Sequence, residues 1–564
     1  MLDSSVMATF VFGSLRFEAP TSEVAATRIE EVLSVLEFAE RESKQGSWVA
    51  LMLSYEAAPA FDPVLDVHKG SDFPLAWAAA FPQASDAADI QSATIVSNSW
   101  APRVNRGEYD AAVAQIRELI AAGDTYQVNY TFPLTSIFKG DTYAWYRSLC
   151  LAQGVQYSAY LDLGRYKVLC LSPELFFERR GNQVKTRPMK GTIHRGRWAA
   201  EDRELAEWLK GSAKDRAENV MIVDLLRNDL GKVSVPGSVR VSSLFDIERF
   251  ETVWQMTSTV ESTLKDGVGL VELMSALFPC GSITGAPKIR TMQIIRELER
   301  FPRGAYTGTI GLLKPGGDCV FNVAIRTVVV DTSSNQAMFG VGGGVTIDST
   351  AEREYEECLV KSRFLHLAPV EFQLIESMLL EDGEYFLLAR HLERLKGSAE
   401  YFGFRFPEEE INSALARIAT GTFKVRLVLW KDGQIETQIS RIEKADSGRG
   451  VALAVTPVDS SDRFLYHKTT LRDYYSEDVI FWNERGEVTE SRIANVVVAI
   501  DGELYTPPVS SGLLPGTFRA ELLAEGKIKE RVITVEELRH VKEFFLINSV
   551  RKWIRVHLRS SAAQ

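Results

Sequence analysis

A lysine and a glutamate sixteen residues apart carry the first chemistry of this chain: Glu174 in Ser172-Pro173-Glu174-Leu175-Phe176 and Lys190 in Arg187-Pro188-Met189-Lys190-Gly191-Thr192. Held between a proline turn and a glycine, with a carboxyl group on a neighbouring strand, the lysine can act as nucleophile and the carboxyl as acid. Those roles need a neutral amine and a protonated acid, so burial or neighbouring charge must lower one pKa and raise the other. Two carboxylate pairs accompany them. Asp215 and Glu218 are three residues apart, as are Glu354 and Glu357, with Lys361 four beyond Glu357, so each set projects from one helix face. Taken singly, each pair fits a salt-bridged, exposed face. Converging from two helices, they would suit a hard divalent cation such as Mg²⁺, which favours oxygen ligands and keeps waters. The run Gly281-Ser282-Ile283-Thr284-Gly285-Ala286-Pro287-Lys288 has the wrong spacing for a phosphate loop, and no Ser or Thr follows its lysine. Gly340-Val341-Gly342-Gly343-Gly344 is not GxGxxG, but it permits close backbone approach to a ligand, with N–H groups available to a carboxylate.

These groups need a scaffold. Helical periodicity predicts helices over 23–43, 108–122 and 287–300, another opening at Lys214, and a closing one over 350–364. Strands are predicted over 157–163, 166–171, 175–179, 306–313, 319–330 and 336–345, two of them joined at Pro315-Gly316-Gly317-Asp318. Antiparallel strands interleaved with helices predict an α+β first domain. Leu367-Ala368-Pro369-Val370 breaks the pattern, which places domains over 1–368 and 372–564. Beyond the break a hairpin over 375–388 precedes a helix over 389–402. A second hairpin turns at Lys431-Asp432-Gly433, a charged connector spans 441–450, and a helix covers 517–525. At 564 residues the chain is too long for one ordinary core. A net charge of −11 argues against a nucleic-acid footprint. Five scattered cysteines without CxxC spacing point to reduced thiols in a cytoplasm rather than to disulfides or zinc. The Met1-Leu2-Asp3-Ser4 start lacks the basic region of a signal peptide, and no apolar run approaches membrane-spanning length.

In order along the chain, SPELF, RPMKGT, KDRAENVMIVDLLRNDLGKV, GSITGAPKIRTMQII, YTGTIG, FNVAIRT and GVGGGVTIDS before EREYEECLVK resemble the chorismate-binding enzyme family, which includes anthranilate, isochorismate and aminodeoxychorismate synthases. The resemblance covers roughly 100–366. Residues before it, with Leu53-Ser54-Tyr55-Glu56, look like the divergent part of the same anthranilate-synthase-like α/β sandwich. Anthranilate and isochorismate synthases typically carry alanine where Lys190 stands, so the resemblance implies the aminodeoxychorismate subtype. It then implies that Lys190 attacks C2 of chorismate while Glu174 protonates the departing C4 hydroxyl. It assigns Glu218, Glu354 and Glu357 to Mg²⁺. Thr284, Tyr306, Arg326, Lys361 and the backbone at Gly343 and Gly344 would hold the two carboxylates. Gln255 stands where anthranilate synthases carry a histidine, which argues against pyruvate elimination in this half.

The C-terminal third, over about 372–557, resembles the fold-type IV pyridoxal-phosphate family, D-amino-acid-aminotransferase-like and α+β. The matching runs are RHLERL, YHKTT, GEVTES, Asn495 and LPGT. The resemblance implies that Lys468 anchors the cofactor and shuttles the proton, that Glu490 keeps the pyridine nitrogen protonated, and that Arg394 holds the phosphate with the backbone of Gly516 and Thr517. Asn548 and Ser549 would complete the site. Aminotransferases of this family often carry a tyrosine a few residues beyond the lysine; here Thr469, Thr470, Leu471 and Arg472 follow, which favours a lyase. The two halves together imply a route from chorismate and ammonia to 4-aminobenzoate and pyruvate, for folate synthesis. No glutaminase motif accompanies them, so a separate glutamine amidotransferase or free ammonia is expected. Subunit pairing through the second half is common in its family. The alternatives are an anthranilate synthase joined to an amino-acid aminotransferase, and a synthase with a non-catalytic C-terminal module.

Overall fold

The computed structural model describes residues 9–69, 72–87, 99–366, 370–416, 421–442, 448–474, 479–541 and 543–559. The expectations for the Met1–Ser4 start, for the break at Leu367-Ala368-Pro369 and for the 443–447 part of the connector lie outside them. The chain divides into two compact units, 1–194 with 206–370, and 195–205 with 371–564.

In the larger unit the described residues form two ten-stranded antiparallel sheets. Gln127–Ile137, Gln336–Val345, Thr327–Asp331 and Tyr166–Ser172 are successive strands of one. The other runs from Met189–His194 through Val253–Thr263, Gln183–Arg187, Leu175–Arg180, Cys319–Val323 and Thr309–Leu313. Phe10 and Leu161 of the first sheet pack with Met52 and Ile310 of the second in one core. Each such buried side chain contributes roughly 1.5–3 kcal/mol relative to exposure. The helices Val32–Lys44 and Leu270–Leu277 cover the second sheet, and Arg106–Ala121 and Thr142–Gln153 cover the first. Arg106–Ala121 starts where Asn105 accepts the Glu108 N–H at 3.0 Å and Glu108 accepts the Asn105 N–H at 3.0 Å, a reciprocal cap.

Three expectations change. The predicted 23–43 helix is a helix only over Val32–Lys44. Ser22–Ala26 is a strand, because its backbone finds a ladder on Ala76–Phe81. The predicted 319–330 strand is two, Cys319–Val323 and Thr327–Asp331, which lie in different sheets; between them Arg326 adopts φ 50°. Lys190 is also not on a strand neighbouring Leu175–Arg180, which Glu174 directly precedes, since Val253–Thr263 and Gln183–Arg187 intervene.

In the smaller unit, Leu374–Glu381, Phe423–Leu429 and Ile435–Arg441 make an antiparallel sheet under the helices Leu388–Phe402 and Glu408–Ala416. Among the described residues a mixed eight-stranded sheet holds the rest, and the pairing of Glu490 with Asn495 closes six of its strands into a ring. The 195–205 segment is built into this unit. Arg195 donates to both carboxylate oxygens of Asp202 at 2.8 and 2.7 Å and lies 4.4 Å over the Tyr401 ring, whose hydroxyl donates to the Gly196 carbonyl at 2.7 Å. No helix among the described residues is long and apolar enough to cross a membrane.

Candidate active sites

In the larger unit Lys190 lies part-buried on Met189–His194, at a point where the strand's register slips. Gly191 follows with φ +93°, and a Cβ there would meet the Asp215 side chain at 2.9 Å, so the turn that presents the lysine needs glycine. Gln255 clamps it from the next strand, accepting from Thr192 Oγ1 at 2.8 Å and donating to the Gly191 carbonyl at 3.0 Å. Burial lowers the Lys190 pKa, with Glu218 and Glu174 opposing and Lys361 reinforcing. Glu174 precedes Leu175–Arg180 and is 3% exposed. Burial pushes its carboxyl up to about 7 against the pull of Ser282 and Lys190, and its Oε1 has no hydrogen-bond partner among the described residues. An amine biased toward neutrality therefore faces a carboxyl biased toward protonation.

The carboxylates converge from two helices, Glu218 from Ala213–Val233 and Glu354 and Glu357 from Ala351–Ser362. Burial raises Glu218 and Glu354, with the Glu354 charge adding to the cost at Glu218 and the Glu357 charge to that at Glu354. Glu354 accepts from Ser349 at 2.7 Å, and Glu357 pairs with Lys361 at 2.7 Å, which holds its pKa down. Among the described residues no three His, Cys, Asp or Glu side chains already form a metal-binding cluster. The donors nonetheless fit Mg²⁺, which binds through one or two carboxylates and retains waters.

Lys361 also donates to the Gly342 carbonyl at 2.8 Å. A Cβ on Gly343 would meet Glu354 Oε2 at 3.0 Å, and one on Gly344 would meet Gln127 Nε2 at 2.0 Å and Lys190 Nζ at 3.1 Å. Close backbone approach is thus built into the Gln336–Val345 strand. Thr284 is buried beside it, its carbonyl accepting the Asn129 N–H at 2.8 Å. Tyr306 and Arg326 make no hydrogen bond or ion pair with this charged group among the described residues. Tyr306 packs on Gly340, and Arg326 donates to Gln153 at 3.0 Å. Burial without a carboxylate partner lowers Arg326 to about 10, which suits a guanidinium awaiting an anion. Sequence reasoning missed Gln127. It is 1% exposed, neither amide atom has a partner among the described residues, and its local signal is a polar residue at the start of a strand.

In the smaller unit all seven predicted cofactor residues line one cavity of ≈ 290 Å³. Lys468 is anchored through its carbonyl, which accepts the Ile375 N–H at 2.9 Å. Burial lowers its amine to about 8, with Arg394 reinforcing and Glu376 and Glu490 opposing. Glu490 accepts from Arg472, from Leu514 N at 3.0 Å and from Asn495 Nδ2 at 3.3 Å. Arg394 is gripped by Glu376 at 2.8 and 2.7 Å, and Glu376 in turn takes His391 at 2.6 Å. A Cβ on Gly516 would meet Asn495 Oδ1 at 2.0 Å, so this residue must stay bare where the helix Thr517–Ala524 begins. Asn548 accepts the Val550 and Arg551 N–H groups at 3.0 and 2.7 Å, and Ser549 contacts the Ser377 carbonyl at 3.4 Å. The arrangement fits pyridoxal phosphate: a depressed lysine for its aldehyde, a held carboxylate for its ring nitrogen, and an arginine with a helix start for its phosphate. Glu376 and Arg472 were not foreseen as parts of it. A lone carboxylate in the apolar run LIESMLL was the available signal for the first.

Residues 84–366, half of the chain, match the chorismate binding enzyme model. The chain belongs to the chorismate-binding enzyme family. A further third, 373–558, matches the amino-transferase class IV model. Aminodeoxychorismate synthase component 1 of Salmonella typhimurium is 41% identical over 272 residues, covering 48% of this chain and 60% of the relative. Anthranilate synthase component 1 of Aquifex aeolicus is 38% identical over 267 residues, 47% of this chain and 54% of the relative. The chain thus spans less than two thirds of the length of these curated relatives. Anthranilate synthase component I of Streptococcus pneumoniae superposes with a TM-score of 0.55 at 23% identity, covering 65% of this chain and 94% of that one, which shows the shared fold of the chorismate-binding half.

Proposed function

We propose that this chain converts chorismate and ammonia to 4-amino-4-deoxychorismate in its chorismate-binding half, and that compound to 4-aminobenzoate and pyruvate in its class IV half. The observation that carries the reading is the opposed pair of Lys190, lowered by burial, and Glu174, raised to about 7. Neutral Lys190 adds to C2 of chorismate, both ring double bonds shift, and Glu174 gives its proton to the hydroxyl leaving C4. Ammonia then adds at C4, both double bonds shift back, and the lysine departs. Mg²⁺, when bound, draws electron density from the ring carboxylate; Glu218, Glu354 and Glu357 would hold it, with Thr284, Tyr306, Arg326, Lys361 and the Gly343–Gly344 backbone on the carboxylates. Gln255 at the position of the anthranilate-synthase histidine keeps the enolpyruvyl group in place through this first reaction.

Pyridoxal phosphate, when bound, withdraws electrons from the carbon bearing the new amine. Lys468 takes the proton from that carbon and delivers it to the methylene carbon of the departing enolpyruvyl group, Glu490 would hold the ring-nitrogen proton, and Arg394, Gly516 and Thr517 would hold the phosphate, with Asn548 and Ser549 completing the wall. Loss of the enolpyruvyl group as pyruvate makes the ring aromatic. The ammonia comes from a separate glutamine amidotransferase, in keeping with the "component 1" of the Salmonella relative's name, or from free ammonium. Two copies pair through the class IV half, and the protein works in the cytoplasm on the route to folate.

The test is product analysis of the pure chain with chorismate, Mg²⁺, ammonium and pyridoxal phosphate, alongside Lys190→Ala and Lys468→Ala. Release of 4-aminobenzoate by the parent, with aminodeoxychorismate accumulating only in Lys468→Ala, is expected. Anthranilate from the parent would overturn the subtype. Aminodeoxychorismate alone, from parent and Lys468→Ala alike, would overturn the second activity.

A further inference from the structure

The Lys468 cavity holds more positive charge than its cofactor needs. Beyond Arg394 and Lys468, it is lined by Arg492, by Arg519, which pairs with Glu530, by Lys424 of the Phe423–Leu429 strand, by Arg441 at the end of the paired strand, and by Arg551 just past Asn548 and Ser549. Glu490 is the one acidic residue on its wall among the described residues, and Arg472 already matches it. Arg394 is likewise matched, by Glu376. Lys424, Arg441 and Arg551 enter no ion pair among the described residues. Gathering like charges in one cavity is unfavourable unless an anion occupies it. The phosphate is served by Arg394 and the start of the Thr517–Ala524 helix, which leaves these three for another anion. An ordinary amino acid brings one carboxylate and needs one such cation. A cyclic amine carrying both a ring carboxylate and an enolpyruvyl carboxylate brings two.

We propose that Lys424, Arg441 and Arg551 form a dicarboxylate-binding subsite of the Lys468 cavity, selecting a dianionic cyclic amine over monocarboxylate amino acids. This rests on the reading of the Lys468 site given above and names what makes it specific. The three cations come from a strand, its hairpin partner and a turn, so they can bracket a substrate whose carboxylates point in different directions. A hydrogen bond to a charged group is worth about 1.5–3 kcal/mol, at the low end where solvent reaches it, so losing one contact costs about tenfold in affinity.

The experiment supplies aminodeoxychorismate to the cofactor-loaded full chain and to Lys424→Gln, Arg551→Gln, the double variant and Lys424→Arg. It reads KM and kcat for 4-aminobenzoate release, and cofactor affinity by absorbance titration. Expected are a KM about tenfold higher in each Gln variant and higher again in the double, kcat within about threefold, cofactor affinity unchanged, and KM restored in Lys424→Arg. Parent turnover with a KM within twofold in the double variant would overturn the subsite alone. Cofactor affinity falling in step with KM would assign the cations to the phosphate and overturn it too. A parent that turns over no aminodeoxychorismate would overturn the reading of the site, and the subsite with it.

Discussion

Replacing Glu174 with glutamine separates the cost of burying a carboxyl from the chemistry proposed for it. The side chain is 3% exposed, and its pKa moves from an ordinary 4.5 to about 7. A folded-state value above the unfolded one means that the native protein keeps a proton the unfolded chain releases. The stability so contributed is complete below pH 4.5 and is lost as pH rises through about 7. At about 1.4 kcal/mol for each pH unit of displacement, the parent loses about 3 kcal/mol between acid and pH 8, of which about 2.5 kcal/mol falls between pH 5 and 8. Glutamine has nearly the same shape and carries no charge at either pH, so Glu174→Gln loses none of it. Scanning calorimetry of the substrate-free chain should therefore show the variant gaining on the parent by about 2–5 °C as pH goes from 5 to 8. Amination of chorismate falls in the same variant by roughly a hundredfold or more, the usual worth of a positioned acid. A parent–variant difference that stays flat from pH 5 to 8 would refute the raised carboxyl, and with it the physical basis for Glu174 as acid.

Chelation of divalent cations is expected to abolish chorismate consumption while leaving the Lys468 half able to convert added aminodeoxychorismate; loss of both activities would mean that the ion does not belong to the carboxylates alone. Cofactor uptake by the cofactor-free chain should accelerate as pH rises through about 8, because only the neutral Lys468 amine attacks an aldehyde, and stopped-flow absorbance that is level from pH 6.5 to 9 would contradict the depressed lysine. Gly344→Ala places a methyl 2.0 Å from the Gln127 amide and 3.1 Å from Lys190 Nζ, so chorismate turnover should fall at least tenfold with the Lys468 half unaffected. Wild-type turnover in that variant, measured by 4-aminobenzoate release, would show that the Lys190 pocket does not depend on the bare backbone.

The sequence alone carried the reactive inventory. Lys190 and Glu174 drew attention as reactive residue types in an unusual local setting, whereas Lys468, Glu490 and Arg394 were marked by the motifs that resemble the fold-type IV family; Gly191, with its positive φ, is dictated by local backbone geometry. Helices with strong caps and an apolar face, such as Arg106–Ala121, were legible for the same local reason. What depends on distant chain was not. Ser22–Ala26 reads as part of a helix until Ala76–Phe81 offers it a ladder, and a single apolar run reads as one strand although its halves serve two sheets. Nothing in the composition of 195–205 tells that it is built into the smaller unit; Tyr401, two hundred residues on, makes it so. Gln127, Glu376 and Arg472 acquire meaning only from what is folded around them. The same holds for the two properties on which the proposed chemistry turns, the neutral bias of Lys190 and the protonated bias of Glu174. Residue type sets what a group can do, whereas its charge state is set by burial and by neighbours that only the tertiary structure assembles.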